Sequence, residues 1–236
     1  LGVDAVVAEH FVHIAEEPAV NPSLILSLAG CALGCRFCQQ SDLLRPKSVC
    51  GERLSSQLWH ELSFAGARTI SFAGGNPDES LYAVLQFLNS APRDWYLPVV
   101  CNSNGYGSLD ALKLLDGVTD IYIPDFKFNS TDCAVKLAAA FDYPLAVKES
   151  INAMFAQDVP VIVRILVLPG HFECCHAPSL DYLAQFVGKK FWVSVRGQYY
   201  PDWKITSSDG FLCRRPTPGE TEAVVKYARY LGLAVI

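Results

Sequence analysis

Three cysteines stand on one short stretch, CALGCRFC, as Cys31, Cys35 and Cys38, directly after the apolar run LILSLAG. Thiolates this close together hold soft metals. A structural zinc ion is commonly closed by four protein ligands in two separated pairs, and this triplet has no second pair at a sensible distance. A four-iron cluster has four corners, so three cysteines grip it and leave one iron open to an outside ligand. Small core cysteines have no reason to fall three to one loop. Zinc stays open as the other donor chemistry. Gly34 inside the stretch is expected to take positive φ and let the loop curl inward.

Other residues able to do chemistry recur at similar places. Gly74, Gly75, Asn76 and Pro77 follow the run TISFA, and Asn102, Ser103, Asn104 and Gly105 follow LPVVC. Paired glycines admit close backbone approach to a ligand, and amides at a rim can meet hydroxyls or a carboxylate. Asp125 and Lys127 alternate across Phe126, so in an extended strand both face the same way. Such a pair is costly inside an apolar barrel unless it touches a polar ligand. Arg164 interrupts VPVIVRILVLP and needs an anion. Pro169, Gly170 and His171 end that run. Cys174 and Cys175 follow closely, where they could ligate a further metal, relay a hydrogen atom or simply pack. Cys50, Cys101, Cys133 and Cys213 are scattered and read as structural. Tyr199 and Tyr200 are candidates to line a pocket.

The elements that must position these groups are legible as an alternation. Strand-sized apolar runs at 23–30, 69–75, 97–105, 120–128, 159–170 and 191–200 alternate with helical stretches near 54–66, 79–90, 108–115, 131–156 and 179–187. Runs rich in Val, Ile and Leu are typical of strands covered on both faces, which predicts a parallel sheet wrapped by helices. In such sheets chemistry collects at the strands' carboxyl ends. The polar and Gly-rich endings therefore describe one concave site. Thr217, Pro218 and Glu220 cap a last helix that Gly232 ends.

The chain has 236 residues, 51% hydrophobic and 18% charged, which suits a packed globular domain. A net charge of −5 supplies no general basic field for nucleic acid. No apolar stretch reaches bilayer-spanning length. The amino end lacks the features of a secretion signal, and its opening without Met reads as trimmed. Nine cysteines in a long, core-rich chain fit a reducing cytoplasm better than a disulfide scaffold.

Cys31, Cys35 and Cys38, with Phe37 before the third, resemble the CxxxCxxC motif of radical S-adenosylmethionine (SAM) enzymes. HFVHIAEEP, FCQQ, DIYIPDFKF, VRILVLPGHFECC and RGQYYP resemble, in the same order, the branch related to pyruvate formate-lyase activating enzymes, in particular its PflX-like members. The resemblance implies a partial (β/α)6 TIM-like barrel in a single domain over 1–236, with 1–22 an amino-terminal extension, 23–200 the barrel core and 201–236 a carboxyl-terminal helix and strand. It implies a 4Fe-4S cluster on the three cysteines and SAM on its open iron. Phe37, Gly74, Gly75, Asn76, Asn102, Asn104, Asp125, Lys127, Arg164 and His171 are the expected SAM contacts. Gly74 to Pro77 match the family's GGEP motif, with Asn76 in place of Glu; the amide still accepts a hydrogen bond but lacks the charge. Arg164 would meet the SAM carboxylate. The implied reaction is reductive cleavage of SAM to a 5′-deoxyadenosyl radical that abstracts hydrogen from an unidentified substrate, with a glycyl-radical-type protein or a peptide as the branch's example. A flavodoxin or ferredoxin type of electron donor is implied. The alternative is a non-catalytic or electron-transfer module that only holds a cluster and SAM.

Overall fold

The computed structural model describes residues 5–15, 17–64 and 66–236, and within them every predicted apolar run becomes a strand of one sheet. The strands are β1 (Val6–His13), β2 (Ser23–Leu28), β3 (Glu52–Arg53), β4 (Thr69–Gly74), β5 (Val99–Ser103), β6 (Ile121–Pro124), β7 (Val161–Leu166) and β8 (Phe191–Arg196). Their spatial order is β3–β1–β2–β4–β5–β6–β7–β8. From β2 to β8 every neighbouring pair is parallel. β1 and β3 extend the first edge antiparallel. Six parallel strands with both ends of the sheet unjoined are a partial (β/α)6 barrel.

Parallel neighbours need a crossover of a dozen or more residues. α1 (Leu81–Asn89), α2 (Leu109–Leu115), α3 (Thr131–Ala138), α4 (Tyr143–Ala156) and α5 (Ala177–Ala184) serve as crossovers, and α6 (Pro218–Tyr230) closes the chain. The long predicted helical region 131–156 is two helices, broken where Ala139 takes the left-handed conformation at φ 57°. The helix expected near 54–66 does not form. Among the described residues of that stretch only a 3-10 turn, Ser56–His60, is formed. Trp59 stacks 4.1 Å over Phe87 and donates Nε1–H to the Phe87 carbonyl at 3.0 Å, so one large ring fills the layer that a helix would occupy. α6 forms with the predicted capping box between Thr217 and Glu220.

Period two along each strand sorts the inner face into two layers. Lower down, Val100, Ile123 and Ile162 pack around Val20. Two residues further along the same strands stand Asn102, Asp125 and Arg164, all facing the cavity described below. The inner layer is apolar at its base and polar at its rim. Val20 lies on the connection between β1 and β2, so the segment read as an extension fills the barrel floor. Thr69 Oγ1, at the start of β4, donates to the Val20 carbonyl at 2.7 Å. Among the described residues no helix is long and apolar enough to cross a membrane.

Candidate active site

A cavity of about 380 Å³ opens at the carboxyl ends of the parallel strands. It is lined by Cys31, Cys35, Cys38 and Phe37 from the loop after β2, and by Gly74 and Gly75 at the end of β4. Asn102 and Asn104 after β5, Asp125 and Lys127 after β6, and Arg164 on β7 complete the lining that the sequence predicts. Two predicted contacts are missing from it: Asn76 and His171.

The cysteine loop is fastened from outside. Gly34 N–H donates to the Ala138 carbonyl at 3.1 Å and Arg36 N–H to the Leu137 carbonyl at 2.7 Å, which pins the loop to the last turn of α3. Those carbonyls are the ones a helix end leaves unpaired. Ala32 N–H donates to Glu79 Oε1 at 2.8 Å. Contrary to expectation, Gly34 does not take positive φ; the left-handed residue is Gly30 at φ 106°, just ahead of the loop. The chain turns before the first cysteine and runs in ordinary conformation between the sulfurs.

Burial pushes the Cys35 thiol up to about 12 and raises Cys31 and Cys38 too, while the Lys127 ammonium pulls each of them the other way. A metal centre must therefore displace protons from all three. An all-thiolate donor set is what an iron–sulfur cluster takes.

The glycine pair forms a cradle. A Cβ on Gly75 would sit 2.2 Å from the Gly30 carbonyl oxygen, and one on Gly74, at φ 97°, 2.6 Å from Leu28 N. Only glycine lets the end of β4 close against the end of β2.

Asn76 is 1% exposed, and its Oδ1 accepts from Asn104 N–H at 3.0 Å. Instead of lining the cavity, it fixes the backbone of a residue that does. Asn104 in turn points Nδ2 at Cys31 Sγ, 3.5 Å away. Lys127 and Asp125 form a short ion pair. Burial works against the ammonium, but Asp125 together with the Cys35 and Cys31 sulfurs outweighs that cost and raises its pKa. Tyr143, fully buried on α4, donates to the Asn104 and Asp125 carbonyls at 3.0 and 2.8 Å and accepts from Lys127 N–H at 3.0 Å. One phenol thus ties two strand ends together.

Arg164 does meet an anion, but the protein supplies it. Glu17, from the supposed extension, accepts from Nε at 3.1 Å and Nη2 at 3.0 Å, and from Ser194 Oγ at 3.0 Å. Arg196 Nη2 stands 3.1 Å from the same carboxylate. Burial alone would raise the Glu17 carboxyl; the two guanidiniums and Ser194 together hold it below its usual value. Glu17 was not legible as a site residue. The signal for it was a demand, since a cation inside an apolar strand requires a partner somewhere. β1 also brings Phe11 and His13 to the cavity, and Gln39, Gln40 and Gln198 reach it. Tyr199 packs edge-on to Phe37 and donates to the Leu212 carbonyl at 2.6 Å, so it supports the loop without lining the cavity.

Six parallel strands, open edges and a cysteine loop at the carboxyl end of β2, the first of the parallel strands, define the partial barrel of radical SAM type. No protein-family model matches the chain. The uncharacterized protein MJ0674 of Methanocaldococcus jannaschii is 29% identical over 236 residues, covering 96% of this chain and 68% of that one. Streptococcus suis SuiB bound to S-adenosylmethionine superposes with TM-score 0.56 at 12% identity, covering 87% of this chain and 47% of SuiB. anSMEcpe with bound AdoMet and Cp18Cys peptide gives 0.58 at 15% identity, covering 90% and 62%. HydG, a maturase of the [FeFe]-hydrogenase, gives 0.57 at 14%, covering 84% and 46%. This chain thus spans about half to three-fifths of these structures' lengths, and the likeness is one of fold.

Proposed function

We propose that the chain is a radical SAM enzyme of the activating-enzyme-related, PflX-like branch, working in the cytoplasm. The observation that carries this is the meeting of three loop cysteines, a glycine cradle and a polar rim in one cavity. Cys31, Cys35 and Cys38 would hold a 4Fe-4S cluster. The backbone of Gly74 and Gly75, the amides of Asn102 and Asn104, and the Asp125–Lys127 pair would hold SAM beside it. When bound, the two together supply one-electron cleavage of SAM and hydrogen-atom abstraction from a substrate.

The chain's own residues have the remaining tasks. Leu33, Phe37 and Leu44 keep the cysteine side of the cavity apolar, which limits water near a reactive species. Asn104 Nδ2, near Cys31 Sγ, donates toward a ligand sulfur, a contact that tunes reduction potential. Arg164, neutralised by Glu17, shapes the floor and is not spent on a cofactor carboxylate. Asn76 acts through Asn104, so its difference from the family's Glu does not remove a charge from the cavity.

The substrate we propose is a protein or peptide, of which a glycyl-radical-type partner is one example, with electrons from a flavodoxin or ferredoxin type of donor. SuiB with its precursor peptide SuiA and anSMEcpe with a bound peptide support the substrate class. The test is anaerobic reconstitution followed by dithionite and SAM. Iron near four per chain and formation of 5′-deoxyadenosine are expected, with both lost in Cys35→Ala. A colourless wild-type protein without iron overturns the reading; iron without 5′-deoxyadenosine reduces it to a cluster-holding module.

A further inference from the structure

Cys133, His171 and Cys174 come together outside the cavity. Cys133 lies in the first turn of α3, after β6; His171 and Cys174 follow β7, where Phe172–His176 form one π-helical turn ahead of α5. One ligand atom from each of the three lies within 4.8 Å of the other two. The two sulfurs are 3.7 Å apart. That is the span of two thiolates on one tetrahedral zinc, each at a bond of about 2.3 Å and so about 3.8 Å apart.

The tautomer of the histidine is set by its neighbour. His171 Nδ1 lies 2.8 Å from the Pro169 carbonyl, an acceptor, so the ring proton sits on Nδ1 and Nε2 carries the free lone pair. Cys174 is exposed while Cys133 and His171 are half-buried, which leaves an entry path and one corner for water. The next residue, Cys175, is 1% exposed and packs into the core. Adjacent cysteines thus part company on the π turn, a feature that frequently marks functional sites.

We propose that Cys133, His171 and Cys174 form a second metal site, for Zn²⁺, with solvent as its fourth ligand. On binding, two S–H bonds are replaced by two Zn–S bonds, two protons go to the buffer, and no electron moves. The site joins the start of α3 to the turn after β7. The other end of α3 carries the Leu137 and Ala138 carbonyls that hold the cysteine loop, so zinc would brace that loop's anchor. The proposal stands whether or not the cavity holds a cluster.

The test is a residue-resolved alkylation footprint on the full-length wild-type protein, reduced and anaerobic, with and without one equivalent of Zn²⁺. Cys133 and Cys174 are expected to lose reactivity toward iodoacetamide by about tenfold or more, and to regain it with a chelator. The exposed Cys50 and Cys213 serve as unaffected controls. Co²⁺ in place of Zn²⁺ should give the visible bands of a tetrahedral thiolate site. Cys133→Ser/Cys174→Ser should bind one zinc fewer per chain, and the wild-type footprint decides the matter if that variant does not fold. Unchanged reactivity of the pair with Zn²⁺, or equal zinc content in wild type and double variant, overturns the proposal. So does recovery of the pair as a disulfide that excludes Zn²⁺, which would make it a redox couple.

Discussion

Glu17 holds together the floor of the cavity, because two guanidiniums converge on its one carboxylate. Removing the charge from a buried pair leaves the opposite charges uncompensated, typically at about 3–5 kcal/mol. Glu17→Gln should therefore lower stability by that order in chemical denaturation. The pH dependence has a definite sign. The folded carboxyl is held below its usual value, so its contribution is fully present above the unfolded pKa of about 4.3 and fades as pH falls through the lower folded value. The wild-type advantage over Glu17→Gln should be flat from neutral pH down to about 5 and shrink below about 4. An advantage that instead grew on acidification would mean that the arginines do not hold Glu17 charged. At this scale the sequence spoke clearly of Arg164's need and not of its partner. Glu17 lies 147 residues away, and pairings that distant are set by the closing of the barrel, which no local pattern records.

Among the elements, the cysteine loop and the β4 end are the two that must meet. A methyl group on Gly75 would collide with the Gly30 carbonyl just ahead of the loop, and backbone gives way less readily than a side-chain tip. Gly75→Ala should cost the reconstituted protein more than half of its iron, read by metal analysis, at a smaller loss of thermal stability than Glu17→Gln causes. Retention of full iron content with SAM binding intact would show that the loop tolerates displacement. The strands were legible because burial on both faces writes near-continuous Val, Ile and Leu runs. The antiparallel strands β1 and β3 were missed: β1 buries only one of its eight residues fully and β3 is exposed throughout, so neither writes a continuous apolar run. The false helix at 54–66 had apolar residues enough for one face, but Trp59 buries there what a longer helix would bury. His171 was predicted from its place at a strand end, and it does stand there; it faces Cys133 and Cys174, not the cavity.

Across the whole molecule, the open sheet leaves the cavity flanked by β1 on one side and β8 on the other. The residues that secure the cysteine loop come from far along the chain. Arg36, between the second and third cysteines, pairs with Asp209 at 2.6 Å, and its carbonyl accepts from Lys204 N–H at 2.9 Å. The Asp209 carboxyl is held below its usual value by Thr206 N–H and by Arg36. Asp209→Ala should speed the loss of iron to a chelator several-fold without changing the strand framework, as followed by absorbance and far-ultraviolet circular dichroism together. An unchanged release rate would show that α3 alone holds the loop. The Arg36 clasp also sets an order of events during synthesis. The cysteines leave the ribosome early, but the clasp that secures them is encoded some 170 residues later. A nascent chain presents its thiols on a half-tethered loop until Asp209 has emerged, so stable iron loading waits for that partner of Arg36, and chains cut short ahead of Asp209 should surrender their metal.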